Sequence, residues 1–280
     1  MNRIEFRVVL FVLILMPLVF AGPARAAGKV RVSVSVPPQA YFVERIGGDK
    51  VDVQVMLPGH SDHDSYEPTP QQLIRLAKAQ IYVRVGVPGF TFETRHIDPA
   101  LAKKKIKLIT MSDGVKLLDD DPHIWAAPSA VRQAAFNIYK GLSGFDPAGS
   151  SYYKRNLDSF VKDIDALDRE IKALLKGKEG GTFLIYHPAL AYFAAEYKLR
   201  QVSIETEGKS PSASHIRGVI DLARSKGIKK VLIQKGFDRK NAKTIAAEIG
   251  GSLEEIDPLD RNWLSGTRNT AIKVSGALRK

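Results

Sequence analysis

Branched apolar residues alternate with polar ones over residues 30–36 (VRVSVSV) and again over 51–57 (VDVQVML), the period-two pattern of half-buried strands. Between them Tyr41, Phe42, Val43 and Ile46 recur at helical spacing, and Gly47 and Gly48 end that run as glycines end helices. A helix over 71–78, a strand over 81–87 and a further strand over 106–110 continue the alternation. Residues 129–142 then read as helical, 144–149 as a break, and 150–176 as one uninterrupted helix. Along that helix Tyr153, Leu157, Phe160, Ile164, Leu167, Ile171 and Leu174 form a single apolar stripe opposite a charged face. At about 1.5 Å per residue it is about 40 Å long, enough to reach across two small lobes. After GKEGG at 177–181, strands over 182–186, 201–204, 230–234 and 252–256 alternate with helices over 188–197, 212–226, 239–248 and 265–278.

Repeated strand and helix alternation predicts parallel sheets with right-handed crossovers. The expected fold is α/β, with two parallel-sheet, Rossmann-like lobes joined by one long backbone helix. The expected divisions are an amino-terminal lobe over 27–128, a connecting helical segment over 129–177 and a carboxy-terminal lobe over 178–280. Residues 1–26 differ in kind. Arg3 and Arg7 precede an apolar run over 8–21, and Ala24 and Ala26 stand where a signal peptidase reads small residues. This predicts an exported protein, most simply periplasmic, cleaved near Ala26.

The 280 residues exceed the usual single-domain size, and 44% hydrophobic with 26% charged residues is an ordinary globular composition. Cysteine is absent, which excludes disulfides, a thiol-linked lipid and thiolate metal ligation. The net charge of +12 is scattered without aromatic interleaving, so it reads as solvated helix faces and not as a nucleic-acid surface.

Histidine and carboxylate carry the candidate chemistry. Residues 59–70 read GHSDHDSYEPTP, with two imidazoles, two aspartates and a pair of prolines that stiffen the exit. Imidazole nitrogen and carboxylate oxygen are the donors that Zn²⁺ and its first-row neighbours accept, although the same residues also make ordinary surface turns. In open parallel sheets ligands sit beyond the carboxyl ends of strands. His63 follows the strand over 51–57, His187 directly follows TFLIY, Asp257 follows the strand over 252–256, and His123 lies after the last strand of the first lobe. Asp121 is placed to accept the second N–H of His123, with Trp125 packing over the ring. His96, in a charged loop, and His215, on a helix, carry no such marks. Glu67, Glu205 and Glu207 are candidates for charge behind the ligands or at the edge of the cleft. A zinc-dependent hydrolase with Glu67 as base is the competing class, but HExxH is absent and Asp257 would close the fourth position.

The segments SVPPQAYFVERIGGDKVDVQVMLPG, YEPTPQQL, DPHIW, YHPALAYFAAEYKL and EGKSPSASHI, with LDR near the end, span the mature chain. Together they resemble the periplasmic solute-binding proteins of zinc and manganese ABC transporters, the cluster A-I metal-binding family. The resemblance implies two α/β lobes with a metal between them, and no catalysis. It places ligands at His123, His187 and Asp257 and implies a monomer that delivers its ion to an ABC permease. Histidine at 187 implies zinc, where manganese and iron members carry Glu, so Mn²⁺ or Fe²⁺ is the lesser alternative. The family's first histidine falls on Asp64, with His63 one residue away and His60 further out, and His63 is the expected ligand. The long histidine-rich loop of many zinc members is missing before His123.

Overall fold

The computed structural model describes residues 28–278, apart from 60, 62, 64, 206–210 and 238. The leader over 1–26 and three of the candidate side chains, His60, Asp64 and Glu207, therefore lie outside the described residues.

The first sheet takes β1 (Val30–Val34), β2 (Val51–Val55), β3 (Ile81–Arg84) and β4 (Lys107–Thr110) in the order β2-β1-β3-β4. The second takes β5 (Thr182–Ile185), β6 (Arg200–Ser203), β7 (Lys230–Gln234) and β8 (Ser252–Ile256) in the order β6-β5-β7-β8. Every pairing is parallel. The two lobes thus repeat one strand order, and the chain has the expected two-lobed α/β architecture. The helices are α1 (Pro37–Gly47), α2 (Pro70–Leu76), α3 (Asp98–Leu101), α4 (Pro128–Phe145), α5 (Ser150–Leu175), α6 (Ala191–Glu196), α7 (Ala213–Ser225), α8 (Arg239–Glu248) and α9 (Trp263–Ala277). Among the described residues no helix is long and apolar enough to cross a membrane.

The backbone helix α5 packs against α1, α4 and α9, so elements of both lobes meet on its apolar stripe. The buried stripe ends on Leu175 rather than on Leu174, which is 37% exposed, because the last turn is where α5 leaves the core. Gly144 does not break the chain. Helix α4 runs on to Phe145, and the break shrinks to a short turn in which Asp146 caps Gly149. His96 lies in a π-helical turn, Glu93–Ile97, and not in a loop. Pro188 does not open a helix either, since α6 begins only at Ala191.

Two apolar clusters hold the molecule together. The larger unites the first lobe, α5, α9 and one face of the second sheet, through Phe42, Phe160, Trp263, Phe183, Ile185 and Leu232 among others. The smaller lies on the other face of the second sheet, with Leu184, Tyr186, Val231 and Ile233 packed under α7 and α8. Trp263 is the junction of the lobes. Its ring meets Phe42 at 5.4 Å and Phe160 at 6.3 Å, and its indole N–H donates to the carbonyl of Trp125 at 2.7 Å.

In the first lobe the strand order reverses between β1 and β3, and a buried carboxylate fills that point. Glu93 is fully buried and accepts from the Ser35 hydroxyl, from Val85 N–H at 2.7 Å and from Gly86 N–H at 3.0 Å. Burial pushes the Glu93 carboxyl above its ordinary value, against the pull of these donors and of Arg84. The clamp fixes the start of the loop carrying Phe90.

Candidate metal centre

His63 stands on the loop between β2 and α2, and the local sequence explains how that loop is closed. Thr69 caps α2 by accepting from Gln72 N–H at 3.3 Å, while the Gln72 side chain accepts from Thr69 N–H at 2.8 Å. This reciprocal arrangement is what T-x-x-Q at a helix start encodes. Gln72 also accepts from the Tyr66 hydroxyl at 2.9 Å and donates to the carbonyl of Met56 at 2.7 Å. One side chain therefore staples the exit of the histidine loop to the strand that enters it. Phe90 then backs the His63 ring edge-on at 5.3 Å.

His123 is held from both lobes. Asp121 takes its main-chain N–H at 2.8 Å and its Nδ1 at 2.6 Å, and the Trp125 ring lies at 5.2 Å. From the second lobe, the Tyr192 hydroxyl accepts from Leu118 N–H at 3.0 Å and donates to the carbonyl of Asp121 at 3.2 Å. The Trp125 indole in turn donates to the carbonyl of Pro258 at 3.1 Å. His187, at the end of β5, sets its Nδ1 3.4 Å from Glu205, which is itself buried.

These three rings converge. The Nε2 atoms of His63 and His123 are 3.3 Å apart, those of His187 and His123 3.4 Å, and one ligand atom from each of the three residues lies within 4.8 Å of the others. All three side chains are buried. With Nδ1 of His123 and His187 turned to carboxylates, their Nε2 lone pairs face one another, an arrangement that is repulsive until a cation sits between them. A tetrahedral ion with nitrogen at the Zn²⁺ distance of about 2.0–2.1 Å spaces its ligands by about 3.3–3.4 Å, which is the spacing of His123 from each of the other two rings.

Asp257 follows β8 and lines the same small cavity as the three histidines, together with Ser61, Gln234 and Lys235, but it offers no oxygen within the nitrogen cluster. It also borders an open cleft of about 400 Å³ with Arg261 and Pro58, so it stands where the cavity meets solvent. Glu67 is exposed, and His96 and His215 lie outside the cluster, the latter 3.1 Å from the carbonyl of Ser203. Sequence reasoning missed Phe90, Gln72 and Tyr192, of which only Gln72 had a local signal, the capping pattern.

Burial lowers the His123 pKa to about 4, against the opposing pull of Asp121. Burial also pushes the Asp121 carboxyl up, but the ring beside it and the hydrogen bonds it accepts leave it below its ordinary value. The ring is therefore neutral, ready to donate a lone pair, throughout the neutral range. An imidazole depressed in the folded state binds fewer protons than in the unfolded chain. Stability of the metal-free protein should thus be full above about pH 6.5 and decline as pH falls towards 4, by up to about 3 kcal/mol from this group. Chemical denaturation of chelator-stripped protein at pH 7.5 and pH 5 checks this, and His123→Asn should flatten the difference.

The chain is 24% identical over 267 residues to the high-affinity zinc uptake system protein ZnuA of Bacillus subtilis, covering 85% of this chain and 82% of that one. It is 22% identical over 257 residues to the zinc-binding lipoprotein AdcA of Streptococcus pneumoniae, covering 84% of this chain but 51% of that longer protein. A crystal structure of ZnuA superposes with a TM-score of 0.84 at 38% identity, over 89% of this chain and 99% of that one. Residues 32–271 match the family model described as zinc-uptake complex component A, periplasmic. A match over that length, on a fold with three imidazoles gathered between its lobes, makes this chain a member of the zinc-uptake complex component A family of solute-binding proteins.

Proposed function

We propose that the protein captures one Zn²⁺ between its lobes at His63, His123 and His187, with Asp257 at the mouth of the cavity as the fourth ligand, and delivers it to an ABC permease for uptake. The observation that carries this is the spacing of the His123 imidazole nitrogen from those of His63 and His187, 3.3 and 3.4 Å, which is the ligand spacing of a tetrahedral Zn²⁺. Mn²⁺ favours oxygen donors, and Fe²⁺, though it accepts imidazole, takes more ligands than this small cavity offers, so both fit less well. The amino-terminal lobe and the segment before α4 would supply His63 and His123, and the carboxy-terminal lobe His187 and Asp257.

The role is carriage and not catalysis. The cavity of about 30 Å³ has room for about one water and none for a substrate beside the ion. Glu67, the base a hydrolase would need, is exposed. The export expected from the leader, and the monomer implied by the resemblance, fit a carrier that meets its permease outside the cytoplasm. Titration calorimetry on chelator-stripped protein should give one Zn²⁺ per chain, bound more tightly than Mn²⁺. Absence of Zn²⁺ binding, or preference for Mn²⁺, would overturn the assignment.

A further inference from the structure

His187 depends on a residue of a different strand. The last ladder bond between β5 and β7 runs from Tyr186 N–H to the carbonyl of Leu232 at 2.8 Å. Beyond it Pro188 has no N–H to offer, so backbone pairing cannot continue. The carboxamide of Gln234, the last residue of β7, takes its place. Its Nε2 donates to the carbonyl of His187 at 2.6 Å, and its Oε1 accepts from His187 N–H at 3.3 Å. Gln234 is 5% exposed and lines the histidine cavity.

Alternation along the strands puts these two side chains on one face. Phe183 and Ile185 belong to the cluster shared between the lobes and Leu184 and Tyr186 to the other, so His187 continues the shared side. Leu232 likewise lies on the shared side, between Val231 and Ile233 on the other, which puts Gln234 there too. The turn that follows completes the grip. Gly236 takes φ +90°, a conformation that suits glycine, and Phe237 brings its ring to 5.3 Å from the His187 imidazole. The pair sits between β5 and β7, where the strand order reverses and a crevice opens.

We propose that Gln234 is a positioning residue for zinc capture: by pairing with both main-chain groups of His187 it fixes the direction in which that imidazole leaves the sheet. The inference rests on His187 being a metal ligand. A donor atom must be held within about 0.5 Å to be productive, and a residue just past the end of a strand has no ladder to hold it. Only a carboxamide supplies donor and acceptor together at this reach. A hydrophobic residue of equal volume would fill the space and remove both of these bonds, leaving the His187 backbone held by the Ala189 N–H on its carbonyl at 2.8 Å and the ring by Glu205 and Phe237.

The test is a double-mutant cycle read by zinc titration against a competing chelator, using the full chain stripped of metal. Gln234→Met keeps volume and removes both hydrogen-bonding groups. It should weaken Zn²⁺ binding by about tenfold or more beside an intact His187. In a His187→Ala background the same change should cost less than about twofold, because its route of action is gone. Cobalt-loaded Gln234→Met should also show a shifted visible band. Equal losses in both backgrounds, or no loss beside intact His187, overturn the proposal. Thermal melting of the metal-free variant is measured alongside. Should it fail to fold, Gln234→Glu, which keeps the acceptor and loses the donor, carries the same cycle. If His187→Ala binds Zn²⁺ as tightly as the unaltered protein, the ligand assignment itself has failed and the proposal falls with it.

Discussion

Alanine at position 123 is expected to weaken Zn²⁺ binding by more than about a hundredfold, and alanine at 187 by a similar factor. A binding free energy on the order of 10 kcal/mol shared among three or four donors leaves about 3 kcal/mol for each, which is about two decades of affinity. His123 should be the more costly of the two. Its removal also takes from Asp121 the 2.6 Å bond to Nδ1 in a largely enclosed setting, leaving that carboxylate the main-chain N–H of residue 123. Competition titration with a chromogenic chelator measures both, with Glu67→Ala as the exposed control. Unchanged affinity in both histidine variants would dismiss the three-imidazole site.

Trp263→Ala should lower stability by about 3–5 kcal/mol, as truncation of a buried aromatic does. For a chain of this size that is a fall in melting temperature of about 10 °C. The indole is 2% exposed, contacts rings from α1 and α5, and donates its N–H into the segment that carries His123. Trp263→Phe, which keeps a ring and loses the donor, should fall between the two. Differential scanning calorimetry of the metal-free proteins decides the matter. A shift below about 2 °C for the alanine variant would mean that the lobes do not share one core.

Much of this was legible because two periods dominate the chain. Strict alternation at 30–36 and 51–57 marked strands, and the stripe from Tyr153 to Ile171 marked a helix with one buried face. The three histidines were legible from position, since each follows the carboxyl end of a strand or its connection. Asp121 could be named as a partner for His123 because the two are close in the chain. What stayed hidden depends on contacts distant in sequence. Gln234 reads as an unremarkable strand terminus until β5 is laid beside β7, and Tyr192 as a core aromatic until its hydroxyl meets the loop of the other lobe. Helical pattern alone could not separate Leu174 from Leu175, because neighbours on α5 differ by 100° and only the packing of the last turn chooses. Nor could it place Asp257, which lines the cavity yet offers no oxygen within the nitrogen cluster.

The second sheet divides two interiors, and that gives odd and even positions in β5 different fates. Inserting a single codon within that strand would keep the reading frame, yet it would carry the residue that should follow Tyr186 to the opposite side of the partition, towards α7 and α8. The same codon placed among residues 176–181 would be absorbed by the turn. Insertions and deletions tolerated over the course of descent should therefore be sparse in the short strands and frequent in the connections, even where individual side chains in those strands vary freely.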